Sequence, residues 1–180
     1  MACSSYTLKG IVNDCAGNIG GVSEVWLANY EHVHASAGTV EIESREADVI
    51  TAITVDTGYS FVKFYVRKNT SSMVSTLNVN DNGSTYVSTV LSMVFARMDA
   101  VKRMEMNALA KEDLVALVKD ANGTWHYMGF DNPVTSSNGT GETGTARSDN
   151  NQYTSELTDE SNEYPYQVQE SVLKAIGVID

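Results

Sequence analysis

Apolar and polar residues alternate with a period of two along much of this chain, and that period predicts strands. Over Thr39–Arg45, Val40 and Ile42 share one face while Glu41, Glu43 and Arg45 share the other. Val49–Asp56, rich in Val, Ile and Thr, reads as the next strand, closed by Thr57-Gly58. Ser60–Lys68 carries the strongest alternation: Val62, Phe64 and Val66 lie on one face, and Phe61, Lys63, Tyr65 and Arg67 on the other. That second face mixes aromatics with bases, a composition suited to a contact surface. Met73–Val79 and Tyr86–Phe95 read as the arms of a long hairpin around Asn80-Asp81-Asn82-Gly83, where glycine supplies the positive φ of a tight turn. The hairpin arm at about 69–88 holds mostly Ser, Thr and Asn and has little to bury, so it reads as an arm ordered by a neighbour or mobile.

The second half of the chain adds one helical period. Met98, Val101, Met104, Ala108 and Leu109 approximate a single stripe, which predicts a helix from about 98 to 111, with its methionines in the core. Asp99 stands four residues before Arg103, a favourable order on a helix. The run Leu114–Lys119 is continuously apolar up to its final lysine, as in a strand buried on both faces. Asp120-Ala121-Asn122-Gly123 turns it back into Thr124–Phe130, with Trp125 and Tyr127 on one face. Residues 131–151, dominated by Ser, Thr, Gly and Asn, read as a long surface loop, followed by a strand at Gln152–Thr158. The segment 163–180 contains Tyr164, Tyr166, Val168, Val172, Leu173 and Ile176, and must dock somewhere. These elements predict a mainly β fold, an antiparallel β-barrel or sandwich with one flanking α-helix that caps an open end or side.

Composition narrows the function. With 180 residues and 42% hydrophobic residues the chain suits a single globular domain over 1–180, with an N-terminal arm at about 1–22. Its net charge of −11 excludes a protein that reads DNA through a basic face, and disfavours an anionic membrane as partner. The charge is uneven. Residues 1–62 hold eight acids and two bases, 63–119 five acids and eight bases, and 120–180 ten acids and two bases. A basic middle between acidic flanks suits copies that meet head to tail, and equally a solvated acidic surface. The first residues show no basic n-region or apolar h-region, and no apolar run is long enough to span a bilayer. Synthesis in a cytosol is expected, with Cys3 and Cys15 as free thiols and the Asn-x-Ser/Thr matches at Asn69, Asn82, Asn122 and Asn138 unused.

The motifs that suggest chemistry lack their context. Gly139-Thr-Gly141-Glu-Thr-Gly144 matches a dinucleotide fingerprint by letter, but no strand–turn–helix unit surrounds it. Asn78-Val-Asn80-Asp-Asn82-Gly83 resembles the start of a calcium loop, yet its twelfth position is Thr89 and three of its ligand positions are neutral amides. On a strand, His32 and His34 would share a face, with Glu31 beside them; His126 is the one further histidine, and the cysteines lack metal spacing. No nucleophile elbow or Cys–His pairing stands out. No enzyme, metal or cofactor is expected.

Three stretches resemble a known family. They are Asn13-Asp-Cys-Ala-Gly-Asn-Ile-Gly-Gly-Val22 leading into Glu24-Val-Trp-Leu-Ala-Asn29; Phe95–Leu109 leading through Leu114–Gly123 to Trp125-His-Tyr-Met-Gly129; and Thr143-Gly-Thr-Ala-Arg-Ser-Asp-Asn-Asn-Gln-Tyr-Thr154. In this order they resemble tailed-bacteriophage tail-tube (major tail) proteins, of the kind found in phages and prophages of Bacteroidetes-type hosts, over about Asn13 to Val168. The resemblance implies a β-barrel or sandwich flanked by a helix, six copies per ring joined by inter-subunit sheet pairing, and rings stacked into a tube through which DNA passes without specific binding. It implies a virion protein assembled in the host bacterial cytoplasm, touching other tail proteins such as sheath, terminator or baseplate. A long loop or hairpin reaches the adjacent ring in such proteins. The candidate inter-subunit and inter-ring contacts are therefore Lys63, Tyr65, Arg67, Met73, Asn80, Asp81, Asn82, Tyr86, Tyr164 and Tyr166. An acidic wall would keep DNA from sticking in such a channel. The alternatives are another virion adaptor, terminator or capsid decoration protein, and a carbohydrate- or partner-binding β-sandwich module using Trp26, Trp125 or tyrosines as stacking platforms.

Overall fold

The apolar run that begins at Leu114 forms the middle of the molecule. In this computed structural model, which describes residues 10–11, 16–35, 38–42 and 49–179, Leu114–Val118 are all buried. The described strands are β1 (Val22–Asn29), β2 (Thr39–Ile42), β3 (Val49–Thr54), β4 (Val62–Phe64), β5 (Ser72–Val79), β6 (Thr85–Ala96), β7 (Leu114–Asp120), β8 (Trp125–Met128), β9 (Thr135–Glu142), β10 (Gln152–Ser161) and β11 (Tyr166–Val168). Two helices, α1 (Ala100–Leu109) and α2 (Glu170–Ala175), and one π-helical turn at Glu31–Ala35 complete the described elements.

The strands form two sheets, one in the order β2-β3-β11-β8-β7-β1-β4 and one in the order β5-β6-β10-β9. Because β7 is apolar on both faces, it serves two cores. Leu114, Ala116 and Val118 face the smaller sheet, where they meet Leu91, Met93, Phe95 and Leu157. Val115 and Leu117 face the other way, into a core of Ile50, Trp125, Tyr127 and Val168. That second core is covered by Val33 of the π-turn, by Phe61, and by Val172, Leu173 and Val178 of the C-terminal segment. The fold is thus mainly β, two sheets face to face with a third, irregular layer outside the larger one.

Several expectations need correction. The sheets do not close into a barrel, and the pairing is not wholly antiparallel, since β11 pairs parallel with β3. Ser60–Lys68 contributes a strand of three residues. Phe61 turns into the outer core, and the Arg67 N–H already donates to the Val94 carbonyl of the other sheet at 2.7 Å, so the segment crosses between layers. Residues 131–151 are not all loop: Thr135–Glu142 is β9, paired with β10 along the edge of the smaller sheet. Val22–Asn29, which the patterning left unassigned, lies between β7 and β4. The C-terminal segment docks on its own chain. Cys3, Cys15, Glu43 and Arg45, and most of the N-terminal arm, lie outside the described residues.

Helix α1 is shorter than expected and turned about its axis. Asp99 is its N-cap, accepting from the Lys102 N–H at 2.9 Å, and its carboxylate also takes the Lys102 ammonium at 2.6 Å rather than pairing with Arg103. Leu109 and, in part, Met106 face inward, whereas Val101 and Met104 are 69% and 65% exposed. The methionines therefore divide: Met93 is core and Met104 is surface. Gly141 makes room on β9 for Met98, at the entry to α1. A Cβ on Gly141 would stand 3.1 Å from the Met98 methyl and 2.8 Å from the Tyr153 ring.

Candidate functional site

The smaller sheet leaves one face and both edges open among the described residues. Its inward positions hold the core; its outward positions include Val74, Thr76 and Asn78 on β5, and Tyr86, Ser88, Val90, Ser92 and Val94 on β6. They continue through Thr154, Glu156, Thr158 and Glu160 on β10 to Asn138, Thr140 and Glu142 on β9. Asn138 donates to Glu156 at 3.3 Å and Gln152 to Glu142 at 2.7 Å, which holds these carboxylates along the same surface. The four strands contain no lysine, arginine or histidine, but they contain Glu142, Glu156, Asp159 and Glu160. The bases of the middle segment lie elsewhere, on β4 and the turn after it, around α1 and on β7.

The hairpin joining β5 to β6 projects from this sheet. Leu77 and Val79 have the inward parity of Met73 but are 50% and 69% exposed, whereas Val87, opposite Leu77 on β6, is buried, so the end of the edge strand and the turn stand clear of the packed layer. Its turn is tied locally. The Asn80 N–H donates to the Ser84 carbonyl at 2.9 Å, and Asn82 Oδ1 accepts from the Ser84 N–H and hydroxyl at 3.0 and 2.7 Å. Asp81 stands at the tip with no hydrogen bond or ion pair among the described residues. It is the one charged residue between Asn69 and Ala96.

The remaining predicted contacts separate into three groups. The Lys63 ammonium is paired with Glu24 and lies 5.4 Å from the Trp26 ring centre and 5.5 Å from that of Tyr65, which is itself exposed. Lys119 reaches Glu24 at 3.4 Å and covers Trp125 at 5.3 Å. Burial works against the charged form of Glu24, but the hydrogen bonds and charges of Lys63 and Lys119 outweigh it and hold the carboxyl below its ordinary range. Arg67 donates to Asn150 at 2.7 Å, bracing the loop before β10. Tyr164 is exposed, but Tyr166 is not a surface residue: its ring packs on Phe130 at 4.8 Å and its hydroxyl donates to Glu163 at 2.6 Å.

Beside β4 runs a cleft of about 240 Å³, which sequence reasoning missed. Phe64, Phe95, Met106 and Leu109 line it, with Val62 and Tyr65 at its margin and Lys63, Lys102 and Glu105 as its charges. No single period could reveal it, because its walls come from a strand, a helix and β6.

The histidines do not form a site. The π-turn sends them in different directions. His32 lies against Tyr59 and 3.4 Å from Asp56, while His34 meets the Tyr127 hydroxyl at 2.7 Å and stacks on Tyr30. Burial lowers the pKa of His34 and raises that of Tyr127. Among the described residues no three His, Cys, Asp or Glu side chains are placed to hold a metal, and no helix is long and apolar enough to cross a membrane. Comparison with protein-family models, with curated proteins and with solved structures gave no match.

One buried acid links the layers. Asp159, on β10, is 3% exposed and accepts from the Gly129 N–H at 3.1 Å and the Ser161 hydroxyl at 2.6 Å. Burial pushes its pKa up, the two hydrogen bonds pull it down, and the charges of Asp131 and Glu160 push it up again; the net shift is upward. The folded chain therefore holds this proton more tightly than the unfolded chain. The contribution of Asp159 to stability grows as pH falls through the raised value, and is lost as pH rises. Asp159→Asn should remove that dependence while keeping an acceptor for Gly129 and a donor for Ser161. Thermal unfolding of both proteins from about pH 4 to pH 7 should show the variant gaining on the wild type as pH rises. A constant difference would contradict this account.

Proposed function

We propose that this chain is a virion structural protein that assembles into stacked rings, six copies to a ring, as the tail tube of a bacteriophage. The observation that carries this reading is the smaller sheet: a four-stranded sheet whose two edge strands have no second partner among the described residues, and whose uncovered face holds carboxylates while its strands carry no lysine, arginine or histidine; Arg67 reaches its margin at Gln152, 3.5 Å away. Unpaired edges are templates for pairing with another chain, and repetition of one heterologous contact closes a ring. With the uncovered face turned inward, Glu142, Glu156 and Glu160 of each copy would line the channel and repel a passing phosphate backbone. Sheath, terminator and baseplate proteins are the further partners of this reading, the tail of the virion its location and the bacterial cytoplasm its place of assembly.

For the sugar-binding alternative, Trp125 is buried beneath Lys119 and Lys63 lies over the ring of Trp26, so neither indole offers a free stacking platform, and that reading would rest on exposed tyrosines such as Tyr65 and Tyr164.

Negative-stain microscopy of the purified full chain at high concentration tests the proposal. Rings or stacked tubes with an open centre are expected. A species that sediments as a monomer at every concentration and shows no rings would refute it, as would a channel wall that proves net basic.

A further inference from the structure

We propose that the end of the molecule where β6 runs into α1 is a docking surface for a short acidic segment of another protein. Three segments meet there: residues 67–68 after β4, 97–103 at the junction of β6 and α1, and 143–151 between β9 and β10. Hydrogen bonds tie them together. Arg67 donates to the Asn150 side chain at 2.7 Å, the Arg97 N–H to the Asn151 carbonyl at 2.7 Å, the Met98 N–H to Asn151 Oδ1 at 2.7 Å, and the Lys102 ammonium to the Arg97 carbonyl at 3.1 Å. In a chain of net charge −11, these segments hold six of the 12 bases and only two acids.

Most of that charge is free to act outward. Both acids are engaged locally: Asp99 caps α1 and takes the Lys102 ammonium, and Asp149 accepts the Thr145 and Ala146 N–H groups at 2.8 and 2.7 Å. Lys102 is the one ion-paired base of the six among the described residues. Arg67 meets neutral amides, and Lys68, Arg97, Arg103 and Arg147 are exposed with no ion pair among the described residues. Four of these five cations are guanidiniums, whose forked donors match carboxylates in pairs.

Arg97 adds an independent observation. Its φ is 64°, in the left-handed region that costs a residue with a Cβ and suits glycine. Its guanidinium has no hydrogen-bond or ion-pair partner among the described residues. Backbone strain at an exposed side chain that does nothing for its own fold points to work done on a partner. The surroundings select the kind of partner. Arg67 reaches Gln152 at 3.5 Å, Gln152 holds Glu142, and the uncovered sheet face beyond carries Glu156 and Glu160. A nucleic-acid duplex, stiff and charged along its whole length, would run from the bases onto those carboxylates. An acidic stretch of protein can end where the bases end.

Anisotropy of fluorescein-labelled decaglutamate, titrated with the full chain, tests the surface. Binding should weaken several-fold as salt rises from about 50 to 200 mM. Arg103→Glu combined with Arg147→Glu should weaken it at least tenfold. Lys111→Glu, an equivalent reversal at the far end of α1, should change it less than twofold. Arg97→Gly is the sharper variant: binding should fall at least threefold while Tm stays at or above the wild-type value, because strain leaves with the side chain.

No binding of the peptide, a loss in Lys111→Glu as large as in the double variant, or a lowered Tm in Arg97→Gly would overturn the proposal. Tighter binding of a random-sequence DNA duplex than of the peptide would overturn it too. Loss of self-association in the double variant without peptide binding would give the surface to a second copy, against the proposal. The inference does not rest on the ring reading. Peptide binding by a chain that never forms rings would sustain the surface and overturn the tube, and rings without peptide binding would do the reverse.

Discussion

Gly38→Ala is expected to be among the most damaging single substitutions in the described chain. A Cβ at this position would lie 2.5 Å from the His32 carbonyl oxygen and 2.7 Å from both the Cα and the carbonyl oxygen of Val33. All three are backbone atoms, so no rotamer change relieves the collision. The His32 carbonyl is also engaged, accepting the Asp56 N–H at 3.0 Å. The π-turn would have to move, taking fully buried Val33 and the His34–Tyr127 hydrogen bond with it. Overpacking against a fixed backbone costs about 3 kcal/mol or more. For a chain of this size that is roughly a 6–12 °C fall in Tm, measured by circular dichroism. A shift of under about 2 °C would mean that the turn yields freely.

Leu91→Ala should cost a comparable amount for the opposite reason. Leu91 is fully buried at the middle of β6, with Met73 opposite it on β5 and Leu157 on β10. It faces the apolar underside of the larger sheet, so its removal opens a cavity bounded by both layers. Such truncations cost about 2–5 kcal/mol, depending on how far the site collapses. Val90→Ala, one residue away on the outward face, is the control and should cost under about 1 kcal/mol in the free chain. Urea unfolding should show the midpoint moving for Leu91 and hardly for Val90. Equal losses would contradict the assignment of inner and outer faces.

The same contrast explains what was legible in the sequence. The hairpin from Leu114 to Met128 could be read because burial on both faces leaves an uninterrupted apolar run ended by Asn122-Gly123. The β5–β6 hairpin was legible from its turn chemistry and from the core alternation of Leu91, Met93 and Phe95. Strand β9 was not, because its outward residues face water and its inward ones are Ser136 and two glycines, one of which, Gly141, makes room for Met98 and Tyr153; nothing in Ser-Ser-Asn-Gly-Thr-Gly alternates in hydropathy. The orientation of α1 was misread for a related reason. Apolar residues occur on several of its faces, and the face that packs is the one that carries Leu109 into the core between the two sheets. The absence of bases from the strands of the smaller sheet was hidden because the net charge of residues 63–119 averages the strands without bases and the neighbouring segments that hold them.

The position of β11 in the larger sheet has a consequence for synthesis. Among the described residues, β2 and β3 are hydrogen-bonded to the rest of that sheet only through β11, which lies between β3 and β8. A chain emerging from a ribosome therefore holds this sheet as two pieces with no hydrogen bonds between them until Tyr166–Val168 has cleared the exit tunnel, long after both pieces are available. During that interval Ile50 and Ile53 lack part of the core that buries them. Nascent chains held with β11 still inside the tunnel should be the species most prone to stick to one another and the best substrates for chaperones, whereas chains extended by a linker that carries β11 clear of the tunnel should be markedly less so.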